Sequence, residues 1–244
     1  MSGELVPTRG AELPADVRPG SGAMFDRIAE RYDMLNRVLS MGIDRRWRKR
    51  LLDRAGIGPG MRVLDLATGT GDLALASAKR GASVVGLDPS TKMLEVAARK
   101  SQRAGLTGIE FIAGDAEQLP HVDASFDRVT IAFGIRNVPD RPRALAEMKR
   151  VLKPGGLALI LELSEPRGIL GPLARFHVHT VVPRLGAWLS GAAEYRYLER
   201  SIAKFPPPEE FAETIRGSGL IVDEVAPLTF GVVCLFVGRK EAAS

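Results

Sequence analysis

Gly69-Thr70-Gly71, with Asp65 four residues before it and Asp88 at the end of the next apolar run, has the residue types to hold a nucleoside. Val63, Leu64 and Leu66 read as a short buried strand, and a helix begins at Leu73. Val84 to Leu87 form a second strand that stops at Asp88. Strand, glycine turn, helix, strand and acid make up the layout of a nucleotide-handling parallel sheet. The glycines let the backbone approach a ligand closely, and the helix start brings unpaired N–H groups to the same spot. Asp88 can accept hydrogen bonds from both ribose hydroxyls of an adenosine.

The spacing alone does not name the ligand, since Gly69-x-Gly71-x-x-Ala74 also fits a dinucleotide fingerprint. Asp65 decides. In the run DLATGTG this acid can hold backbone N–H groups of the turn and lie near a cationic ligand. A pyrophosphate in that place would be repelled by the carboxylate. S-adenosylmethionine carries a sulfonium and an ammonium and no phosphate, so the acid favours it. The short-chain dehydrogenase pattern Tyr-x-x-x-Lys is missing, because none of Tyr32, Tyr195 and Tyr197 has a lysine four residues on.

The elements that must position these residues alternate. Further strands are expected over 109–112, 126–133 and 157–163, with helices over 91–104 and 141–152 between them. Lys153-Pro154-Gly155-Gly156 reads as a helix stop and chain reversal. The fold class is therefore α/β, a doubly wound, mainly parallel sheet. Ligands of such sheets bind beyond the carboxyl ends of the strands. Asp65, Asp88, Asp115 and the 133–137 loop all lie at such ends and should converge. Segments 221–226 and 231–238 are expected to pair as the last two strands, the final one antiparallel at the far side of the sheet. Residues 1–22 read as a disordered leader and 23–244 as one domain. Within that domain, 23–56 is expected to form a helical lid: a first helix from Ala23 with Phe25, Ile28, Ala29, Tyr32, Leu35, Val38 and Leu39 on one face, a break at Met41-Gly42, and a second helix over Asp44 to Ala55. Residues 165–208 form a substrate-side insertion.

The bulk numbers agree with a soluble globular chain: 244 residues, 45% hydrophobic and 26% charged. The net charge of +5 suits anionic lipid or nucleic acid, but arginine-rich solvated helices produce the same value. The run Arg45, Arg46, Arg48, Lys49, Arg50 and Arg54 around Trp47 is read as such a solvated face with Trp47 as its anchor, and no nucleic-acid partner is expected. A single cysteine, Cys234, excludes an internal disulfide and lies in an apolar run that suits a buried strand. The three histidines make a poor metal site, and none is expected. The polar, proline-rich start is no secretory signal, and 168–191 is too interrupted by charge and proline to span a membrane, so a cytoplasmic location is expected.

Five blocks in order resemble the quinone C-methyltransferases, the demethylmenaquinone and ubiquinone-pathway methyltransferase family. They are the stretch from Tyr32-Asp-Met-Leu-Asn36 to Trp47, Phe133-Gly-Ile-Arg-Asn-Val138, and Arg150-Val-Leu-Lys-Pro-Gly-Gly156 through Ser164. Tyr195-Arg-Tyr-Leu198 with Ser201-Ile202 and Leu228-Thr-Phe-Gly231 complete the set. The resemblance implies a class I methyltransferase (Rossmann-like) sheet and S-adenosylmethionine as cofactor. It places Thr70, Asp88, Asp115 and Ala116 at cofactor positions, beside Asp65, Gly69 and Gly71 read from the turn. Ala132 stands where some ubiquinone-pathway relatives carry a serine contact.

The implied reaction moves a methyl group to a ring carbon of a polyprenyl hydroquinone. Such a carbon becomes nucleophilic as the adjacent phenol, with a pKa of about 10, loses its proton. Arg136 and Asn137, a cation and an amide after the fourth strand, are the catalytic candidates, since they would stabilise the phenolate. Arg136 stays protonated, so the proton must go to another group or to water. His177 and His179 are weakly supported bases, and Glu162 is expected to orient Arg136 or a water. Phe25, Ile28 and Tyr32 form a helix face that either closes over the cofactor or packs the helix on the sheet. The apolar 168–188 stretch suits a prenyl tail, core packing or a homodimer contact. Basic faces could hold the chain peripherally against the inner membrane surface. The substrate expected from the resemblance is demethylmenaquinol, giving menaquinol. The methoxy-benzoquinol of the ubiquinone pathway, another lipophilic substrate, a dinucleotide-dependent oxidoreductase and a non-catalytic quinone-complex scaffold stay open as alternatives.

Overall fold

Apolar runs with no polar face need cover on both sides. In the structure, a computed structural model that describes residues 21–165 and 192–242, they receive it. The strands are β1 (Arg62–Leu66), β2 (Ser83–Asp88), β3 (Ile109–Ala113) and β4 (Phe126–Ala132). They continue with β5 (Leu152–Leu163), β6 (Ile221–Leu228) and β7 (Val233–Arg239). Together they form one sheet in the order β3-β2-β1-β4-β5-β7-β6. Neighbours among β1 to β5 run parallel, whereas β7 is antiparallel to both β5 and β6.

The helices are α1 (Gly22–Asp26), α2 (Tyr32–Leu39), α3 (Asp44–Ala55) and α4 (Asp72–Ala78). After them come α5 (Thr91–Arg103), α6 (Arg141–Val151), α7 (Ala192–Ala203) and α8 (Pro208–Gly217). Leu64, Leu66, Val129 and Ile131 pack on one sheet face with Leu145 and Met148 of α6 and Phe211 and Ile215 of α8. Val63, Val84, Leu159 and Leu161 cover the other face with Trp47 and Leu51 of α3 and Leu73 of α4. The two-residue period of each strand divides its side chains between these cores. Trp47 is buried, and its indole N–H donates to Thr229 Oγ1 at 2.8 Å, so the arginines of α3 flank an anchored ring.

Three expectations need correction. The last strand does not lie at the far side of the sheet: β7 is inserted between β5 and β6, and β6 forms the edge. All but the last residue of β7 is buried, whereas β6 alternates between more and less exposed residues and contains Pro227, which an edge strand tolerates. Second, β5 starts at Leu152. Its pairing shifts register between Phe126 and Arg128, and Lys153 to Gly156 loop out of the ladder there. Third, the helical run expected from Ala23 to Leu39 is not one helix. It breaks into α1, a 3₁₀ turn at Ala29–Arg31 and α2, which turns Val38 to the surface while Met24, Ala29 and Leu35 are buried.

Cys234 is buried in β7, and burial pushes its thiol up to about 12. No helix among the described residues is long and apolar enough to cross a membrane. The expected leader, except for its last two residues, lies outside the described residues. So do most of the 165–208 insertion, the 168–188 stretch, His177 and His179.

Candidate active site

The chain leaves β1 for β2 on one side and reaches β4 on the other, which opens a crevice at their carboxyl ends. Both strand ends carry a left-handed non-glycine residue, Ala67 (φ 46°) and Phe133 (φ 62°). Such backbone is uncommon and collects at functional sites. A Cβ on Gly134 would stand 2.5 Å from Ala67 Cβ, so the two corners pack directly against each other.

Asp65 is buried in β1, and its bonding differs from the expectation. It does not bind N–H groups of the turn. Oδ2 accepts from the Thr68 hydroxyl and Oδ1 from the Thr130 hydroxyl, each at 2.7 Å. Thr130 is its direct partner across the β1–β4 ladder. Burial pushes the Asp65 carboxyl up to about 6, against the pull of the two hydroxyls and Arg48. The turn amide goes to Asp88 instead, whose Oδ2 accepts from Gly69 N at 2.8 Å and whose Oδ1 accepts from Ser90 N at 2.8 Å. Burial also pushes Asp88 up to about 6, although both backbone bonds favour its charge.

Gly69 is left-handed (φ 56°), and the nearest atom to a Cβ there would be Tyr32 Cε1 at 3.9 Å. Bare backbone therefore faces the α2 segment. Asp115 lies two residues beyond the end of β3, but it is exposed and its Oδ1 accepts from Glu117 N at 3.0 Å. Asp65 and Asp88 are thus brought together at the turn, and Asp115 with the buried Ala116 forms the outer end of the row.

The α1–α2 segment is fastened across this edge. Asp26 Oδ1 accepts from Ser90 Oγ at 2.6 Å, Glu30 pairs with Arg99, and Thr70 Oγ1 donates to Asp33. Lys100 of α5 binds Asp33 at 2.6 Å and Asp72 as well. Lys100, whose Nζ also donates to Thr70 Oγ1 at 3.3 Å, is therefore already neutralised, which leaves the turn poorly suited to a pyrophosphate and suited to a cationic nucleoside. Asp33, Asp72, Lys100, Thr68 and Thr130 were not singled out from the sequence. Asp33 alone had a signal, since it follows Tyr32 in the first quoted block.

Arg136 and Asn137 occupy a 3₁₀ turn, Ile135–Asn137, after β4. Glu162 lies in β5, whose inward row Ala158 and Ile160 faces the α6–α8 core. It is fully buried and binds Arg136 twice: Oε1 accepts from Nη1 at 2.7 Å and Oε2 from the backbone N at 3.1 Å. Leu163 N also donates to Oε1. The guanidinium is 7% exposed. Its burial opposes the charge, but Glu162 more than compensates, and Tyr32 and Tyr197 add to the effect, so its pKa rises above the ordinary arginine value. Nη1 also donates to Phe133 O at 2.6 Å, and Nε donates to Ser201 Oγ at 3.3 Å. Tyr197 OH donates to Asn137 Oδ1 at 2.8 Å. The arrangement presents a fixed cation and a fixed amide beside an acid-lined nucleoside edge.

A model of the ubiE/COQ5 methyltransferase family matches residues 17–240. The demethylmenaquinone methyltransferase of Thermus thermophilus is 47% identical over 221 residues, covering 89% of this chain and 100% of that one. The ubiquinone/menaquinone biosynthesis C-methyltransferase UbiE of Geotalea daltonii is 44% identical over 222 residues, covering 89% and 94%. Among solved structures, a SAM dependent methyltransferase from Aquifex aeolicus superposes with a TM-score of 0.60 at 19% identity, covering 79% and 88%. The [4+2]-cyclase SpnF superposes with a TM-score of 0.69 at 18% identity, covering 96% and 100%. These two likenesses show the fold alone, and the cyclase illustrates why: one fold carries several chemistries.

Proposed function

Since the chain belongs to the ubiE/COQ5 methyltransferase family, we propose that it transfers the methyl group of S-adenosylmethionine to a ring carbon of demethylmenaquinol, giving menaquinol. The observation that carries this reading is the Arg136–Asn137 pair, locked by Glu162, Ser201 and Tyr197 next to a turn lined with carboxylates. The names of relatives from Thermus thermophilus, Deinococcus radiodurans and Thermotoga maritima support the naphthoquinol over the benzoquinol of the ubiquinone pathway.

The donor set fits the cofactor. Gly69, Thr70 and Gly71 would receive its amino-acid end, Asp88 its ribose, and Asp115 with Ala116 its adenine. Asp65 supplies negative charge beneath the turn. The bound cofactor brings an electrophilic methyl on a sulfonium, so the protein's work is on the nucleophile. Arg136 has Nη1 and Nε engaged within the protein, which leaves Nη2 for the substrate's phenol oxygen. The charge there lowers the phenol's pKa and stabilises the phenolate as it forms. Arg136 is held in its charged state and is not the base. Glu162 accepts three hydrogen bonds from Arg136 and Leu163, so it orients rather than takes the proton. Tyr32 of the latched segment, which Phe25 packs against edge-on with ring centroids 6.2 Å apart, stands nearest to Gly69 and would shield the turn from water once the cofactor is bound.

Calorimetry should show S-adenosylmethionine binding, and labelled methyl should then pass to demethylmenaquinol. Transfer to a methoxy-benzoquinol alone moves the assignment to the ubiquinone pathway. Binding without transfer to any quinol leaves another lipophilic substrate or a scaffold.

The same edge suits the surface that holds such a substrate. Met34, Val38 and Met41 on and after α2 are exposed, with exposed Arg37, Arg45 and Arg46 beside them. Phe230 is also exposed, next to the Thr229 that Trp47 anchors. Apolar tips among arginines fit peripheral contact with an anionic bilayer. Sedimentation with phosphatidylglycerol vesicles at low salt should carry the protein down. Phosphatidylcholine vesicles should not, and Met41→Asp should weaken the effect. Equal binding to both lipids, or none, removes the proposal.

A further inference from the structure

We propose that Tyr197 is a positioning residue for methyl transfer: its hydroxyl orients the Asn137 side-chain amide so that the Nδ2 hydrogens face the substrate's phenol oxygen. The proposal rests on the quinol-methylating reading above. It starts from an ambiguity in the asparagine. One end of its amide is a donor pair and the other an acceptor. Rotated one way, it stabilises a phenolate. Rotated the other, its oxygen repels the same charge. The terminal torsion of asparagine is broad and does not choose between them.

The structure chooses through α7. Tyr197 OH donates to Asn137 Oδ1 at 2.8 Å, which commits the carbonyl end to the protein. Among the described residues no hydrogen bond engages Nδ2. One helical turn further along, Ser201 accepts from Arg136 Nε at 3.3 Å and anchors its own hydroxyl on Leu198 O at 2.8 Å. Residues four apart share a helix face. A single face of α7 therefore holds the two consecutive residues of the 3₁₀ turn, and Glu162 and Phe133 O hold Arg136 from the sheet side. Two donor edges are left over, Arg136 Nη2 and Asn137 Nδ2. A cation and an aligned amide can then share one oxygen, with their orientation set before the substrate arrives.

Tyr197→Phe removes one oxygen atom and keeps the ring of a partly buried side chain, so the fold and S-adenosylmethionine affinity should be unchanged. Turnover of demethylmenaquinol should fall roughly 10- to 100-fold, somewhat less than the loss of a whole oxyanion donor. The loss should shrink for ring-halogenated quinols, whose phenols are already acidic, and the acid limb of the kcat–pH profile should move to higher pH. In an Asn137→Ala background, most of the loss caused by Tyr197→Phe should disappear, because the hydroxyl reaches the substrate through that amide. The contact also has a readout that does not need turnover. The side-chain ¹⁵N–¹H₂ resonances of Asn137, identified by their loss in Asn137→Ala, should shift in Tyr197→Phe.

Three results overturn the proposal: unmoved Asn137 resonances, a loss equal for acidic and ordinary quinols, or losses that multiply in the double variant. A wild-type protein that binds the cofactor and methylates no quinol defeats the underlying reading instead, and does so whatever the Asn137 resonances show.

Discussion

Replacing Glu162 by alanine should lower the unfolding free energy by about 3–5 kcal/mol and abolish methyl transfer. Glu162 is fully buried, and it is the carboxylate that pairs with a guanidinium only 7% exposed. Its removal strands that cation in the core and frees the backbone N–H groups of Arg136 and Leu163. A buried donor without a partner carries most of its desolvation cost. Denaturant titration followed by circular dichroism reads the loss. Removing both charges tests the cause: Arg136→Met with Glu162→Leu should recover most of the stability, because an apolar pair of similar volume needs no counter-ion. That double variant should still bind S-adenosylmethionine and should have no turnover. A Glu162→Ala protein as stable as the wild type means that the pair contributes nothing to the fold.

Asp88→Ala should weaken S-adenosylmethionine binding about 100-fold at pH 8, the order expected for losing a charged acceptor to two hydroxyls. The wild-type pH dependence follows from the same group. Burial holds both Asp65 and Asp88 near 6, so each becomes protonated as the pH falls through that value. Charged carboxylates favour a cationic ligand, and affinity should therefore drop below pH 6, by up to about tenfold per pH unit for each group. S-adenosylhomocysteine lacks the sulfonium and should show a shallower slope. Stability runs the other way. Between the unfolded aspartate value of about 3.9 and the folded value near 6, the native state binds more protons, so these two groups cost stability as the pH rises through that window. Calorimetry from pH 5 to 8 and parallel melts should thus show binding improving while their contribution to stability declines. Affinity flat across pH 6 for both ligands means that neither acid meets the cofactor.

The parts of the site that lie within one stretch of chain could be read without a structure. The strand, glycine turn, helix and following strand came from local period and spacing, and they placed Asp65 and Asp88 at neighbouring strand ends. The antiparallel pairing of the last two segments was also legible, but their order was not. The signal for the order was present: the run from Val233 to Gly238 is apolar throughout, as an interior strand must be. The stretch from Ile221 to Leu228 carries Asp223, Glu224 and Pro227, as an edge permits.

The amino-acid sequence by itself determined the α/β architecture and the strand, glycine turn, helix and acid layout, because each depends on residues a few positions apart, whereas Arg136 and Asn137 were picked out with the help of the family resemblance. Only the tertiary structure decided what those groups touch. Asp65 meets Thr130 because β1 and β4 are adjacent in that register, and Thr70 meets Asp33 because α2 crosses the turn. Arg136 meets Glu162 across two strands, and Asn137 meets Tyr197 from a helix 60 positions away. Hydrogen bonds are directional and act over about 3 Å, so they select partners only after packing has brought distant segments into contact.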